Sequence, residues 1–257
     1  MSKIRNLRVL AVCLLMVSAC ASTGGNKGQK LSVDKLQKIG ENYLSAGDTG
    51  LALQYLTRAE KLKPNDPVIH YDLGLAYGAR GLPDLALEHF KKSLVLNPDY
   101  AEASNALGVL YAEKGQYTEA EAAFNKALAN PFYQTPYYVL YNLGQIYEKR
   151  GDLPAALEKY QQAIRIQPAY APAYLQIGML DEKLGDLPGA MQNYEKALQY
   201  NPSMAEALLH IGLLSYREGE FEKAYDSLAR VVRMNPDSDS AAEARKYLNK
   251  LPAGGGS

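Results

Sequence analysis

Three histidines and two cysteines are the side chains of this 257-residue sequence with the most obvious chemistry to offer. His70, His89 and His210 could ligate a metal or move protons near neutral pH. They fall in units two, two and six at different positions of the periodic pattern described below, so they are not expected to form a metal cluster, and His70 is expected to be packed in the core. No metal site and no cofactor is expected from them. The glycines are spread at regular intervals and never crowd into a phosphate-binding loop. Neighbouring charges such as Glu148-Lys149 and Glu182-Lys183 read as solvated helix ends. No nucleophile stands beside a base in a recognisable pattern, so the expectation is a protein that is not an enzyme. Cys20 differs from the rest. The small residues of Val17-Ser18-Ala19 precede it.

Lys3, Arg5 and Arg8 precede the apolar run Val9–Val17, which gives a basic segment and a short hydrophobic one. The run is too short to span a bilayer as a mature helix. The stretch Val17-Ser18-Ala19-Cys20 resembles the bacterial lipobox, in which the cysteine sulfur is diacylated and a peptidase then cuts before it. Residues 1–19 are therefore expected to be a lipoprotein signal peptide, and Cys20 the lipid attachment site. Cys13 leaves with the signal, so the mature chain has no disulfide. Acyl chains on Cys20 hold a protein to a membrane at about 0.8 kcal/mol per buried CH₂. The following residue is Ala21, not Asp, which by the same resemblance implies the outer membrane. The folded part would face the periplasm or the cell surface.

Lys plus Arg and Asp plus Glu number 28 each, and loss of the first 19 residues leaves 25 bases against 28 acids. A balanced chain of this kind offers no electrostatic footprint for nucleic acid. Residues 20–32 are small, polar and glycine-containing after the cysteine, and are expected to form a flexible tether. Beyond them Ala, Leu, Tyr, Glu, Lys and Gln dominate and β-branched runs are scarce, which makes the class all-α.

From Val33 onward the sequence repeats. Six units are expected at 33–66, 67–100, 101–136, 137–170, 171–204 and 205–238. Unit position 8 is Gly40, Gly74, Gly108, Gly144, Gly178 and Gly212, and position 15 is Gly47, Gly81, Gly115, Gly151, Gly185 and Gly219. Position 20 is always Ala. Position 32 is Pro64, Pro98, Pro168, Pro202 and Pro236. This spacing resembles the tetratricopeptide repeat (TPR), which implies a right-handed solenoid of helix-turn-helix units. Small residues at positions 8 and 20 let the two helices of a unit approach, and Leu56, Phe90, Phe124, Tyr160, Tyr194 and Leu228 at position 24 fill the space. Gly at 15 ends the first helix, where a left-handed residue is cheap for Gly. Asp152 and Asp186 cap the second helix, and Pro154 and Pro188 fit its first turn. A short helix over 239–251 is expected to cover the last unit with Ala242, Tyr247 and Leu248. Residues 252–257 are expected to be disordered.

Two departures stand out. Unit three is two residues longer than the others, and Phe132, Tyr133, Tyr137, Tyr138 and Tyr141 crowd around the insertion. Those rings either pack an opened unit boundary or form a partner surface. Position 11 is Tyr43, Tyr77, Tyr111 and Tyr147 in the first four units, but Asp181 and Ser215 in the last two.

What remains is binding. The resemblance implies that the first helices of the units line a groove through positions 2, 5, 9, 12 and 13. Here that stripe includes Val68, Tyr71, Leu75, Asn105, Val109, Tyr138, Tyr141, Gln145, Leu175, Met179, Leu209, Leu213 and Tyr216, with Phe132, Tyr133 and Tyr137 as an insertion surface. The stripe is apolar and aromatic with a few amides, and it lacks the combined Lys, Arg and Asn set of carboxylate-gripping clamps. It suits an amphipathic helix or an apolar extended segment. Part of it is expected to pack neighbouring helices together.

A lipobox followed by six such units resembles the type IV pilus biogenesis lipoproteins, the pilotins of PilF, PilW and Tgl type. The stretch Asn130-Pro131-Phe132-Tyr133, Pro136-Tyr137, Tyr141-Asn142-Leu143-Gly144 is similar to the junction of units three and four in that family. Membership implies an outer-membrane lipoprotein whose partner is a secretin subunit and which promotes assembly of the secretin ring. The copies here are more regular than the later units of that family. A general periplasmic TPR adaptor that recruits cell-wall hydrolases or proteases therefore stays open.

Overall fold

The computed structural model describes residues 31–252. The signal peptide, Cys13, Cys20, most of the expected tether and residues 253–257 lie outside the described residues. Within them the chain forms thirteen α-helices and no strand. They run α1 Val33–Ser45, α2 Thr49–Leu62, α3 Pro67–Ala79, α4 Pro83–Leu96, α5 Ala101–Glu113, α6 Tyr117–Leu128 and α7 Pro136–Lys149. The series continues with α8 Leu153–Ile166, α9 Ala171–Leu184, α10 Leu187–Tyr200, α11 Ala205–Glu218, α12 Phe221–Met234 and α13 Asp239–Leu248. None of these is long and apolar enough to cross a membrane.

Each odd helix packs on the even helix that follows it, each pair packs on the next, and α13 packs on α11 and α12. Such a chain has no single centre. Its core is a row of clusters, each shared between adjacent pairs, and stability comes from stacking neighbours.

Two features make each pair. First, Gly47, Gly81, Gly115, Gly151, Gly185 and Gly219 all adopt left-handed φ of 72–86°, a region where a Cβ is unfavourable. They turn the chain between the two helices. Second, the position-8 glycine of the first helix lies flat against the position-24 side chain of the second. A Cβ built on Gly144 would stand 2.5 Å from Tyr160 Cε1, and one on Gly74 2.5 Å from Phe90 Cδ1. The glycine is thus a socket for the ring. Even helices end two residues before the position-32 proline: α2 stops at Leu62, α8 at Ile166 and α12 at Met234. Asp152 accepts from the Ala155 amide at 3.1 Å and Asp186 from the Gly189 amide at 3.0 Å, closing the open starts of α8 and α10.

The insertion is a compact turn over 129–135. Asn130 ties it down: its Nδ2 donates to the Asp99 carbonyl (2.9 Å), and its Oδ1 accepts from the Phe132 amide (2.9 Å). One detail of α13 corrects the sequence expectation. Ala241 and Ala244 are buried and Ala242 is exposed, while Tyr247 and Leu248 are only partly covered. Ala241 thus takes the core-facing position expected for Ala242, and Ser238 caps the helix through the Ala241 amide.

Candidate protein-binding face

The odd-numbered helices share one face, and two adjoining hollows open on it. One, of about 630 Å³, is walled by Tyr71, Leu75, Gly78, Phe90, Asn105 and Val109 among others. The second, of about 680 Å³, is walled by Val109, Ala112, Phe124, Asn142, Gln145 and Gln176, with Glu113, Lys149 and Lys183 at its edges. Val109 and Glu113 border both. Of the stripe expected from the sequence, Tyr71, Leu75, Asn105, Val109 and Gln145 line these hollows.

The other stripe residues divide. Val68 and Tyr138 are exposed, and Met179 is partly covered. Leu175, 5% exposed, belongs to the core between α9 and α10 and does not line a groove. Leu209 and Leu213 pack on the last core cluster, and Tyr216 meets Tyr247 of α13 edge-on at 5.2 Å. The final helix therefore covers part of the stripe's C-terminal end.

The expectation that the groove lacks a Lys, Arg and Asn set is also corrected. Asn142 and Gln176, both at position 6, and Lys149 and Lys183, both at position 13, take part in the second hollow. The face is wider than the stripe assigned to it. Its amides matter because the Asn105 Oδ1 is buried without a hydrogen-bond partner. An unpaired buried carbonyl costs about 1–3 kcal/mol, and an incoming donor would recover part of that.

The crowded tyrosines form one patch. Tyr137 and Tyr138 stand 4.4 Å apart, and Tyr170 meets Tyr137, Tyr138 and Tyr141 at 5.1, 5.3 and 5.4 Å, all edge-on. Tyr138 is 44% exposed and Phe132 84%, while Tyr133 packs on the core beside Val139. Tyr141 is half-buried, and burial pushes its hydroxyl pKa up. Tyr170 was not among the expected site residues. The signal was present, however. Tyr100 and Tyr170 both occupy position 34, and each packs on the position-5 tyrosine of its own unit, Tyr71 (5.2 Å) or Tyr141. Burial pushes Tyr71 up to about 12.

The helix-end charges are not simply solvated. Glu148 pairs with Lys183 of the next unit and accepts from the Tyr160 hydroxyl (3.3 Å). Glu182 accepts from the Tyr194 hydroxyl (3.0 Å) and Arg217 Nη1 (3.2 Å), and faces His210 Nδ1 at 3.1 Å. Glu121 accepts from the Tyr147 hydroxyl (2.6 Å) and pairs with Arg150 (2.5 Å), and these contacts hold its carboxyl below the usual range. The odd residue Asp181 has a structural partner: its Oδ2 accepts from Asn193 on α10 at 2.8 Å. Ser215 is buried with its hydroxyl unpartnered. The expectation that the histidines do not cluster also fails for two of them. His70 and His89 meet, Nδ1 to Nδ1, at 3.1 Å, because the second helix of unit two lies along the first. Only His210 stands elsewhere.

Profiles described as "Tetratricopeptide repeat" match residues 38–99, 71–134 and 182–248, and one described as "TPR repeat" matches 144–180. The chain belongs to the tetratricopeptide repeat family. Among curated proteins this TPR chain is 31% identical over 109 residues to the probable peptide N-acetylglucosaminyltransferase SPINDLY of Hordeum vulgare, covering 40% of the chain but 12% of that protein. It is 26% identical over 176 residues to the type IV pilus assembly protein PilF of Pseudomonas aeruginosa, covering 64% of the chain and 70% of PilF. Among solved structures, that of Pseudomonas aeruginosa PilF matches with a TM-score of 0.75 at 23% identity, over 83% of this chain and 96% of that one. PilW, described as a widely conserved type IV pilus biogenesis factor, matches with a TM-score of 0.73 at 24% identity, over 82% and 96%. At these identities the structural likeness is one of fold.

Proposed function

We propose that this chain is a non-enzymatic scaffold of type IV pilus biogenesis, held at the outer membrane through an acylated Cys20, that helps the secretin reach or multimerise in that membrane. The observation that carries this is the PilF likeness, which covers 64% of this chain and 70% of PilF in sequence; the resemblance of the stretch around Asn130–Gly144 to the family's unit junction supports it. The basic and apolar leader ending Val17-Ser18-Ala19-Cys20 supports the anchor.

The two hollows suggest how a partner is held. Val109, Phe90 and Phe124 offer apolar walls, and Asn105, Asn142, Gln145 and Gln176 offer amide donors and acceptors. That combination suits an extended segment, whose backbone pairs with amides while alternate side chains enter the hollows. The exposed rings of Phe132 and Tyr138 would add contact at the neighbouring edge.

The test deletes the gene and measures heat-stable secretin multimers in outer-membrane fractions. Their loss is expected, and unchanged multimers would overturn the secretin role. Cys20→Ser is expected to release the protein from membranes, with continued pelleting as the contrary result. Tyr138→Ala is expected to weaken secretin capture with the helical circular dichroism unchanged.

A further inference from the structure

The geometry points to a site for one first-row divalent cation of the zinc class, formed by Glu60, His70 and His89, which staples unit one to unit two. Glu60 lies on α2, His70 on α3 and His89 on α4. Their ligand atoms all lie within 4.8 Å of one another. None of the three lines the hollows of the candidate binding face, so this site is separate from the function proposed above.

The hydrogen-bond pattern makes His70 a ready ligand. Its ring is fully buried. Its Nε2 lies 2.9 Å from the Pro64 carbonyl oxygen. A carbonyl only accepts, so Nε2 carries the proton and Nδ1 presents a bare lone pair. Metal-binding histidines are fixed in this way, the remote N–H held by a carbonyl or carboxylate. That lone pair faces His89 Nδ1 at 3.1 Å and Glu60 Oε1 at 3.7 Å. Tetrahedral zinc with bonds of about 2.0–2.1 Å sets its donors roughly 3.3–3.4 Å apart. The two observed separations bracket that spacing.

The donor set decides the class of ion. Two imidazoles and one carboxylate suit zinc, nickel, cobalt or copper, whereas calcium and magnesium prefer all-oxygen shells. Three protein ligands leave one tetrahedral position for water. Without an ion, one proton must sit between the two Nδ1 atoms, and His89 supplies it. On binding, that proton moves to His89 Nε2, so the neutral ring stays neutral and both Nδ1 atoms face the cation. Lys92 Nζ stands 4.0 Å from Glu60 Oε1 and would give up this ion pair to the metal. Tyr77 stacks on His89 at 5.2 Å and holds the ring in place.

The full chain, purified without a polyhistidine tag and with Cys13 and Cys20 replaced by Ser to silence thiol binding, is treated with chelator and titrated with zinc chloride in a calorimeter. One zinc per chain at micromolar or tighter affinity is expected, with a melting temperature that climbs as zinc is added. His89→Gln and Glu60→Gln each alter a partly exposed side chain. Each is expected to weaken binding at least tenfold with far-ultraviolet circular dichroism unchanged, while His210→Gln leaves binding intact. Cobalt in place of zinc is expected to give the visible absorption of a tetrahedral nitrogen–oxygen site. Absence of binding by the starting protein would overturn the site. So would undiminished binding by His89→Gln, or equal loss in His210→Gln.

Discussion

In units two and three the ring that fills the glycine socket is Phe90 or Phe124, and position 12 beside it is small, Gly78 or Ala112. In units four and five the ring is Tyr160 or Tyr194, and position 12 is Glu148 or Glu182. The backbone is the same in both regions, but a single oxygen atom separates their chemistry. A buried tyrosine hydroxyl must find a partner, and the position-12 carboxylate supplies it. That carboxylate then draws the position-13 cation of the following unit, Lys183 or Arg217. A phenylalanine makes no such demand, so position 12 can stay small. Gly78 and Ala112 then become walls of the two hollows. Both hollows of the candidate face reach a phenylalanine socket, and the second extends onto unit four, where Glu148 both borders the hollow and ties Tyr160 to Lys183.

The largest test of this contrast is Phe124→Ala. Phe124 is fully buried and seated on Gly108. Its loss is expected to cost about 3–5 kcal/mol in urea unfolding. A smaller cost would mean that the hollow beside Ala112 collapses into the vacated space.

Partly and fully buried carboxylates extend the contrast. Glu148 and Glu182 have cations, whereas Asp72, 6% exposed, accepts from the neutral Gln37 amide at 2.8 Å. Burial raises its pKa to about 7, with the Gln37 hydrogen bond and Lys38 opposing the rise and Glu41 and Asp66 adding to it. The folded state therefore holds a proton that the unfolded chain, titrating near 3.8, has released. The stabilisation is complete below about pH 4 and is lost as pH climbs through about 7. A rise of roughly three units at about 1.4 kcal/mol each makes the swing on the order of 4 kcal/mol. Asp72→Asn keeps an acceptor for Gln37. It is expected to gain stability over the parent as pH goes from 5 to 8.5. A constant difference across that range would contradict the assignment.

The exchange of rings can be forced. Phe124→Tyr places a hydroxyl beside Ala112 without the position-12 carboxylate that serves Tyr160 and Tyr194, at an expected cost of about 1–3 kcal/mol. Adding Ala112→Glu is expected to recover most of that loss in a double-mutant cycle, and to fill part of the second hollow. A rescue that restores stability but lowers partner capture would tie the hollow to binding. No rescue would mean that the pairing of positions 12 and 24 is local to units four and five.

The fold was legible because it follows from residue types at fixed offsets. The left-handed glycines, the glycine sockets, the aspartate caps and the terminating prolines each act within one unit, so a single unit's sequence states them. The candidate face was legible in part. Tyr71, Asn105, Val109 and Gln145 follow from helical spacing, but Leu175 obeys the same spacing and is core, because burial depends on what the next pair brings. Lys149 and Lys183 were hidden by their charge, which suggests solvent until the neighbouring helix is in place. The His70–His89 contact was hidden for a related reason. The two residues share no unit position, and what matters is that positions 4 and 23 face each other across the pair. Tyr170 could have been found by noticing that position 34 is tyrosine only where position 5 is tyrosine and a partner is needed.

The smallest effect isolates the oxygen itself. Tyr194→Phe turns unit five into the phenylalanine type without changing its packing, since the ring still rests on Gly178. What is lost is one hydrogen bond to Glu182. The carboxylate is not stranded, because Arg217 and His210 remain. The expected cost is therefore about 0.5–1.5 kcal/mol, the net value of one hydrogen bond. Glu182→Ala differs in kind: it leaves the Tyr194 hydroxyl buried without its acceptor and removes the tie to unit six. If the carboxylate serves the hydroxyl first and the cation second, Tyr194→Phe combined with Glu182→Ala should cost clearly less than the sum of the two. An additive result would mean that the ion pair across units is the primary contact and that the hydroxyl merely uses it.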